Sequence, residues 1–297
     1  MRSRFTVVDL MLAGATVLWG LNAAFSKYVL SHGFDPVPYA TVRFFCATLL
    51  FIGFTLWREG TLRIERRDWA LVGLCGVVLA ANQLAFVYAI HLTNASTVSL
   101  VFGAAPIFIG VGAALMGLER MRSRFWFAAL VSLGGVGLIA LGGGGVSTRL
   151  NGDLLAVGTA LAWAAYSVLA TPLMQRYSPY RISALVLGIG WLPLAAIGMN
   201  QTIHQGYSFG ALTWLGFVYA IFGPLFLTNI LWFTAIHRVG PSRAGLFGNF
   251  QPFVGAFFAL LILGEHLGRW EIAGGVLIAG GIVIERTHRI PLEPPGD

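Results

Sequence analysis

Stretches of about twenty apolar residues, nearly free of charge, follow one another along almost the whole chain, and nothing else in the sequence constrains the fold as much. Hydrocarbon offers no water to backbone N–H and C=O groups, so a segment that crosses it must pair them within a helix or a closed barrel. A barrel strand crosses in about 10 residues, whereas a helix needs about 20 apolar ones at 1.5 Å rise each. The stretches have helix length. They predict ten spans: about residues 8–28, 37–57, 69–90, 95–117 and 125–143, then 153–172, 182–200, 210–232, 241–263 and 270–285. Of the 297 residues 57% are hydrophobic and 10% charged, so little chain is left outside the spans. The expected fold is an all-α membrane protein with ten transmembrane helices and short connections.

The net charge of +7 does not point to nucleic acid, because the basic residues stand singly in the connections and not beside aromatics on one face. Their placement sets topology instead. With a cytoplasmic N-terminus, fifteen arginines from Arg2 to Arg289 fall on the inner side, while Lys27, Arg149 and Arg269 fall on the outer side and Arg43 lies within a span. The positive-inside rule then places both termini in the cytoplasm and the chain in the cell inner membrane. The first apolar segment is longer than a signal-peptide core and has no A-x-A-like site before Asp35, so it reads as a retained helix. Cys46 and Cys75 occupy separate spans and read as small buried hydrophobes, with no pattern for a disulfide or a metal. The glycine run Gly142–Gly145 is not followed by Gly-Lys-Ser/Thr, which argues against an ATP-driven engine; no cofactor is expected.

The chain also repeats itself. A shift of 146 positions lays Ala89-Ile90-His91 on Ala235-Ile236-His237, Ser96 on Ser242, Leu100 on Leu246, Pro106 on Pro252, and Glu119 on Glu265. A shift of 144 lays Asp9 on Asp153, Gly14 on Gly158, and Trp19 on Trp163. The unit is five helices, residues 1–146 and 147–297. Five is odd, so the second copy crosses the membrane in the opposite sense, giving two inverted five-helix repeats. Two similar halves that exchange conformations open a site between them first to one side and then to the other, which is what a transporter needs.

The segments "WGLNAAFSK" (19–27), "PYATVRFF" (38–45), "AAPIFIGVGAALMGLER" (104–120) and "FQPFVGAFFALLILGEHL" (250–267) resemble the EamA-type members of the drug/metabolite transporter superfamily. The resemblance covers nearly all of the chain as two EamA units in tandem. It implies a ten-helix bundle whose central cavity, lined mainly by helices 1, 3, 4, 6, 8 and 9, carries small metabolites, often outward.

Polar side chains inside a bilayer are costly and so are candidates for function. Arg43 stands first, and its "VRFF" context resembles the family's second-helix arginine. It can hold a substrate carboxylate or phosphate, brace carbonyls at helix breaks, or snorkel. Asn82 and Gln83 of the third span fall on Thr228 and Asn229 of the eighth under the 146 shift, either lining a cavity or joining two helices. Trp19, Asn22 and Ser26 share a face of the first span, and Trp163, Tyr166 and Ser167 hold the corresponding place in the sixth; aromatics with a polar handle suit amphipathic metabolites. Pro106 and Pro252 remove a backbone donor within the fourth and ninth spans, as hinges or packing kinks, with Asn249 and Gln251 just before the second. Glu119 and Glu265 fall at opposite boundaries, for capping, for gating pairs with Arg120 and Arg269, or simply in solvent. His91 and His237 close the third and eighth spans, where a histidine usually faces water.

These residues favour a secondary transporter that exports or exchanges amino acids or similar amphipathic compounds, with a lipid flippase or a channel of the same architecture as the alternative. An enzyme acting on lipid-linked substrates would need clustered acids, histidines or metal ligands near one surface, and the loops offer scattered arginines. The expected partners are a small-molecule substrate and the lipid bilayer, with a second copy of the chain as a candidate and nucleic acid excluded.

Overall fold

In the computed structural model, residues 7–115, 123–142, 148–232, 234–235 and 250–286 are described. Glu119, His237 and Asn249 lie outside them, as does the side chain of Pro106. All regular structure among the described residues is helical: α1 Val7–Ser31, α2 Pro36–Glu59, α3 Trp69–Leu92, α4 Ala95–Phe102, α5 Ala105–Leu115, α6 Ser123–Gly142, α7 Thr148–Met174, α8 Pro179–His204, α9 Ala211–Ile221, α10 Gln251–Leu263 and α11 Arg269–Arg286. Among the described residues, seven helical stretches are long and apolar enough to cross a membrane, and Phe125–Leu138 and Gln251–Leu263 are shorter apolar ones.

Local chemistry accounts for the ends. Proline at the first turn suits α2 and α8, since its missing N–H has no helical partner there. The Ser178 hydroxyl caps α8 by accepting from the Arg181 N–H at 3.2 Å. At the other end of α2, Gly60 takes a left-handed conformation (φ 69°) and its N–H returns to Leu56 O, closing the helix.

Two spans are interrupted. Residue 106 is proline and cannot donate to Phe102 O, and the helix breaks at Gly103–Ala104, between α4 and α5. Pro224 does the same in the span Ala211–Trp232 that α9 opens: past Ile221 the helix continues through a π-helical stretch, Phe222–Leu227, where hydrogen bonds reach one residue further back.

The helices pack in a recurring pattern. α2 lies on α8, α4 on α10 and α6 on α11; α3 lies on α7 as α1 lies on α9, and α1 on α10 as α7 on α5. Small residues permit close approach: a Cβ on Gly20 of α1 would come within 2.6 Å of Val254 in α10, and one on Gly190 of α8 within 2.8 Å of the Gly76 carbonyl in α3. The main core gathers Tyr39, Phe44 and Phe51 of α2 with Val87 and Ile90 of α3 and Phe217 of α9. Large apolar side chains such as Leu10, Leu130, Leu215 and Val276 face outward. A soluble protein rarely exposes so much apolar surface, and a bilayer covers it at no cost.

Candidate functional site

Arg43 reaches across the bundle from α2. It is 2% exposed, and its Nε donates to Ala220 O of α9 at 3.0 Å. In an unbroken helix Ala220 O would accept from the N–H of residue 224, which proline lacks; Arg43 supplies the missing donor. Its Nη2 donates to Asn22 Oδ1 of α1 at 3.1 Å. Nη1 is buried with no hydrogen-bond partner among the described residues. The guanidinium carbon lies 5.6 Å from the Tyr39 ring centre and 6.0 Å from that of Phe86 in α3. Of the readings open in the sequence, bracing a carbonyl at a helix break is realised, and snorkelling is not, because the head group is enclosed.

Trp19 serves the same interrupted stretch, its Nε1 donating to Pro224 O at 3.0 Å and its ring packing on Trp232 at 5.2 Å between centres. Tyr219 binds back, its hydroxyl donating to Leu18 O at 2.7 Å. Ser26 Oγ shares a 2.8 Å bond with the Tyr39 hydroxyl and donates more weakly to Asn22 Oδ1 at 3.4 Å. The structure therefore brings Trp19, Asn22 and Arg43 together around α9. Sequence reasoning missed Pro224, Tyr219 and Tyr39; the Gly223-Pro224 pair within an apolar span was the available signal.

The other candidates separate from this cluster. Asn82 Nδ2 donates to Thr159 O of α7 at 2.8 Å, joining two helices, whereas Gln83 Nε2 is buried without a partner among the described residues. Trp163 stacks obliquely with Tyr166 at 5.6 Å and faces Phe102 of α4 at 6.0 Å. Asn229 donates to Leu225 O one turn earlier in its own helix. Gln251 opens α10, and Pro252 is buried beside the α4–α5 break, where a Cβ on Gly103 would meet its Cγ at 3.0 Å.

Glu265 and His91 belong to a cluster at one end of the bundle. Glu265, in the α10–α11 connection, accepts from Ala95 N and Ser96 N at 2.9 Å each and from Ser96 Oγ at 2.7 Å, so it caps α4. Negative charge at a helix N-terminus is favourable. No ion pair with Arg269 forms; that guanidinium lies over the Trp270 ring at 5.2 Å. Lys27 mirrors the arrangement, donating to Ile90 O and Thr93 O at 2.7 Å each and to His91 O at 3.3 Å, where it offsets the negative end of α3. The His91 side chain faces outward. Among the described residues no group of acidic, histidine or cysteine side chains could hold a metal.

The model of the EamA-like transporter family matches this chain twice, over residues 6–141 and 150–285. The chain belongs to the EamA-like transporter family. It is 23% identical over 285 residues to an uncharacterized transporter of Archaeoglobus fulgidus, covering 93% of this chain and 96% of that one. It is 26% identical to a probable amino-acid metabolite efflux pump of Salmonella typhimurium, covering 90% and 91%. Its similarity to a probable terminal-alkyne amino-acid exporter of Streptantibioticus cattleyicolor is also 26%, over 76% of each. One solved crystal structure superposes with a TM-score of 0.66 at 21% identity, covering 94% of this chain and 96% of that one. As an EamA-like protein the chain is a multi-pass membrane transporter of small molecules, and the Arg43 cluster lies where polar groups of both EamA matches meet.

Proposed function

We propose that the chain is a secondary transporter that moves amino acids or similar amphipathic metabolites outward by alternating access. One observation carries the reading: Arg43 and Trp19, from the first match, hold the carbonyls of the interrupted α9 from the second. A broken helix held by the opposite half is the kind of element that supplies both a polar site and a movable joint. The packing pattern supports two inverted five-helix units, residues 1–146 and 147–297, because exchanging the halves maps α3–α7 onto α9–α1 and leaves α2–α8, α4–α10 and α6–α11 in place. In this topology ten helices cross the inner membrane with both termini in the cytoplasm. The substrate class follows that of the amino-acid metabolite efflux pump and the terminal-alkyne amino-acid exporter for which the Salmonella and Streptantibioticus relatives are named.

The test expresses the protein in a host lacking related exporters and compares metabolites inside and outside the cells, with Arg43→Ala matched for membrane level. A metabolite that accumulates outside with the wild type and not with the variant supports the reading. No change in any amino acid on either side would remove export of amino acids and turn attention to lipid substrates.

A further inference from the structure

Around Arg43 the carbonyl and amide oxygens are already taken, and the remaining oxygens are the neutral hydroxyls of Tyr39, Tyr219 and Ser26. Ala220 O takes Nε, Asn22 Oδ1 takes both Nη2 and the Ser26 hydroxyl, and Leu18 O takes the Tyr219 hydroxyl. Nη1 is left over, and so is Nε2 of Gln83, one helical turn from the Phe86 that flanks the guanidinium. No carboxylate among the described residues lies within ion-pair distance of Arg43. A buried cation without a counter-charge is expensive in a low-dielectric interior, and an unmatched buried donor adds its own desolvation cost. One ligand chemistry relieves both: an anionic group with two acceptor oxygens.

We infer that the carboxylate of the transported metabolite docks on Nη1 of Arg43. This rests on the transport reading and deepens it, since it excludes neutral and purely cationic substrates. It also ties binding to the joint in α9. The guanidinium that receives the anion is the one that replaces the missing N–H of Pro224, so occupancy and the geometry of the interrupted stretch are energetically linked.

The experiment uses the full chain purified in detergent and reads thermal stabilisation by L-amino acids and by their matched carboxamides. Arg43→Ala alone strips Ala220 O of its donor and endangers folding. The variant is therefore paired with Pro224→Ala, which restores a backbone N–H for that carbonyl, and Pro224→Ala alone is the reference. At least one acid should stabilise the wild type while its amide does not, and the affinity of Pro224→Ala for that acid, whatever the restored N–H does to it, sets the baseline for the double variant. In the double variant the affinity for that acid should fall at least about tenfold, as loss of a charge-assisted hydrogen bond implies. An amide that stabilises as well as its acid, a double variant that binds like the reference, or a panel in which no acid stabilises the wild type would each overturn the inference. Flux through proteoliposomes separates it from the reading beneath. Amide carried as fast as acid overturns the carboxylate site and leaves transport standing, whereas an acid that binds through Arg43 but is never carried overturns transport and leaves the site standing.

Discussion

The two ends of the bundle are closed by corresponding connections with opposite chemistry. At one end the α1–α2 turn meets the α8–α9 connection through rings and an amide. Phe34 stacks on Phe209 at 4.8 Å and on Phe217 at 5.0 Å, and Gln205 accepts from Asp35 N at 3.1 Å while donating to Gly33 O at 3.1 Å. At the other end the α7–α8 turn meets the α2–α3 connection through charge. Arg176 pairs with the buried Asp68 at 2.7 Å, which also accepts from the Tyr177 hydroxyl at 2.7 Å, and Arg181 holds Glu59 through Nε at 3.0 Å and Nη2 at 2.8 Å. Glu59 and Gln205 are 146 positions apart and do the same task, one with a carboxylate and one with an amide. The same joint is thus sealed by apolar packing at one end and by ion pairs at the other. Ion pairs weaken with salt and water and re-form without repacking, so of these two joints the charged one should respond more to salt.

The largest test of this contrast is Phe34→Ala, which empties the centre of the ring cluster. It should lower stability by about 3–5 kcal/mol, as for other buried phenylalanines, and the loss measured by thermal unfolding in detergent should not change with salt. Asp68→Asn at the charged end should cost about 2 kcal/mol, since one partner of a largely buried pair is removed. That difference should shrink between low salt and about 1 M salt, where the Debye length is about 3 Å. Equal salt responses at the two ends would break the comparison.

The exchange of the related residues is a finer probe. Gln205→Glu loses the donor to Gly33 O and should cost about 1–2 kcal/mol, while Glu59→Gln keeps an acceptor for Arg181 and should cost about 1 kcal/mol. The reverse order would mean that position 205 is not the working counterpart of position 59. The smallest effect belongs to Tyr177. Its bond to Asp68 holds the phenol proton and pushes the hydroxyl above the ordinary tyrosine range. The folded state then binds this proton more tightly than the unfolded one, so the contribution is present below about pH 10 and is lost as pH rises through the folded value. Tyr177→Phe should flatten that alkaline decline and leave the melting temperature near pH 7 slightly lowered.

Much of the architecture was legible in the sequence. The spans expected at 8–28 and 37–57 appear as α1 and α2 with ends a few residues further out, because apolar length and flanking turn residues act locally. The fourth span was read as continuous and is two helices, since the effect of Pro106 is released upstream at Gly103–Ala104. In the candidate site, Asn22 is legible from its helical face and Arg43 from residue type and its "VRFF" context, whereas Asn82 leaves lining a cavity and joining two helices both open in the sequence, and in the structure it bonds Thr159 O. Nothing within a few residues of Asn82 announces that partner, which is 77 positions away.

By itself, then, the sequence determined that this chain enters a membrane as helices and that one unit is written twice along it. These follow from transfer free energies and backbone hydrogen bonding, which depend on each segment separately. Only the tertiary structure decided that Arg43 and Trp19 hold the helix broken by Pro224, that Glu265 caps α4 and Lys27 closes α3, and that Nη1 of Arg43 is left to give. An orphaned carbonyl finds whichever donor the packing of distant helices brings within 3 Å, and that choice is made by the fold.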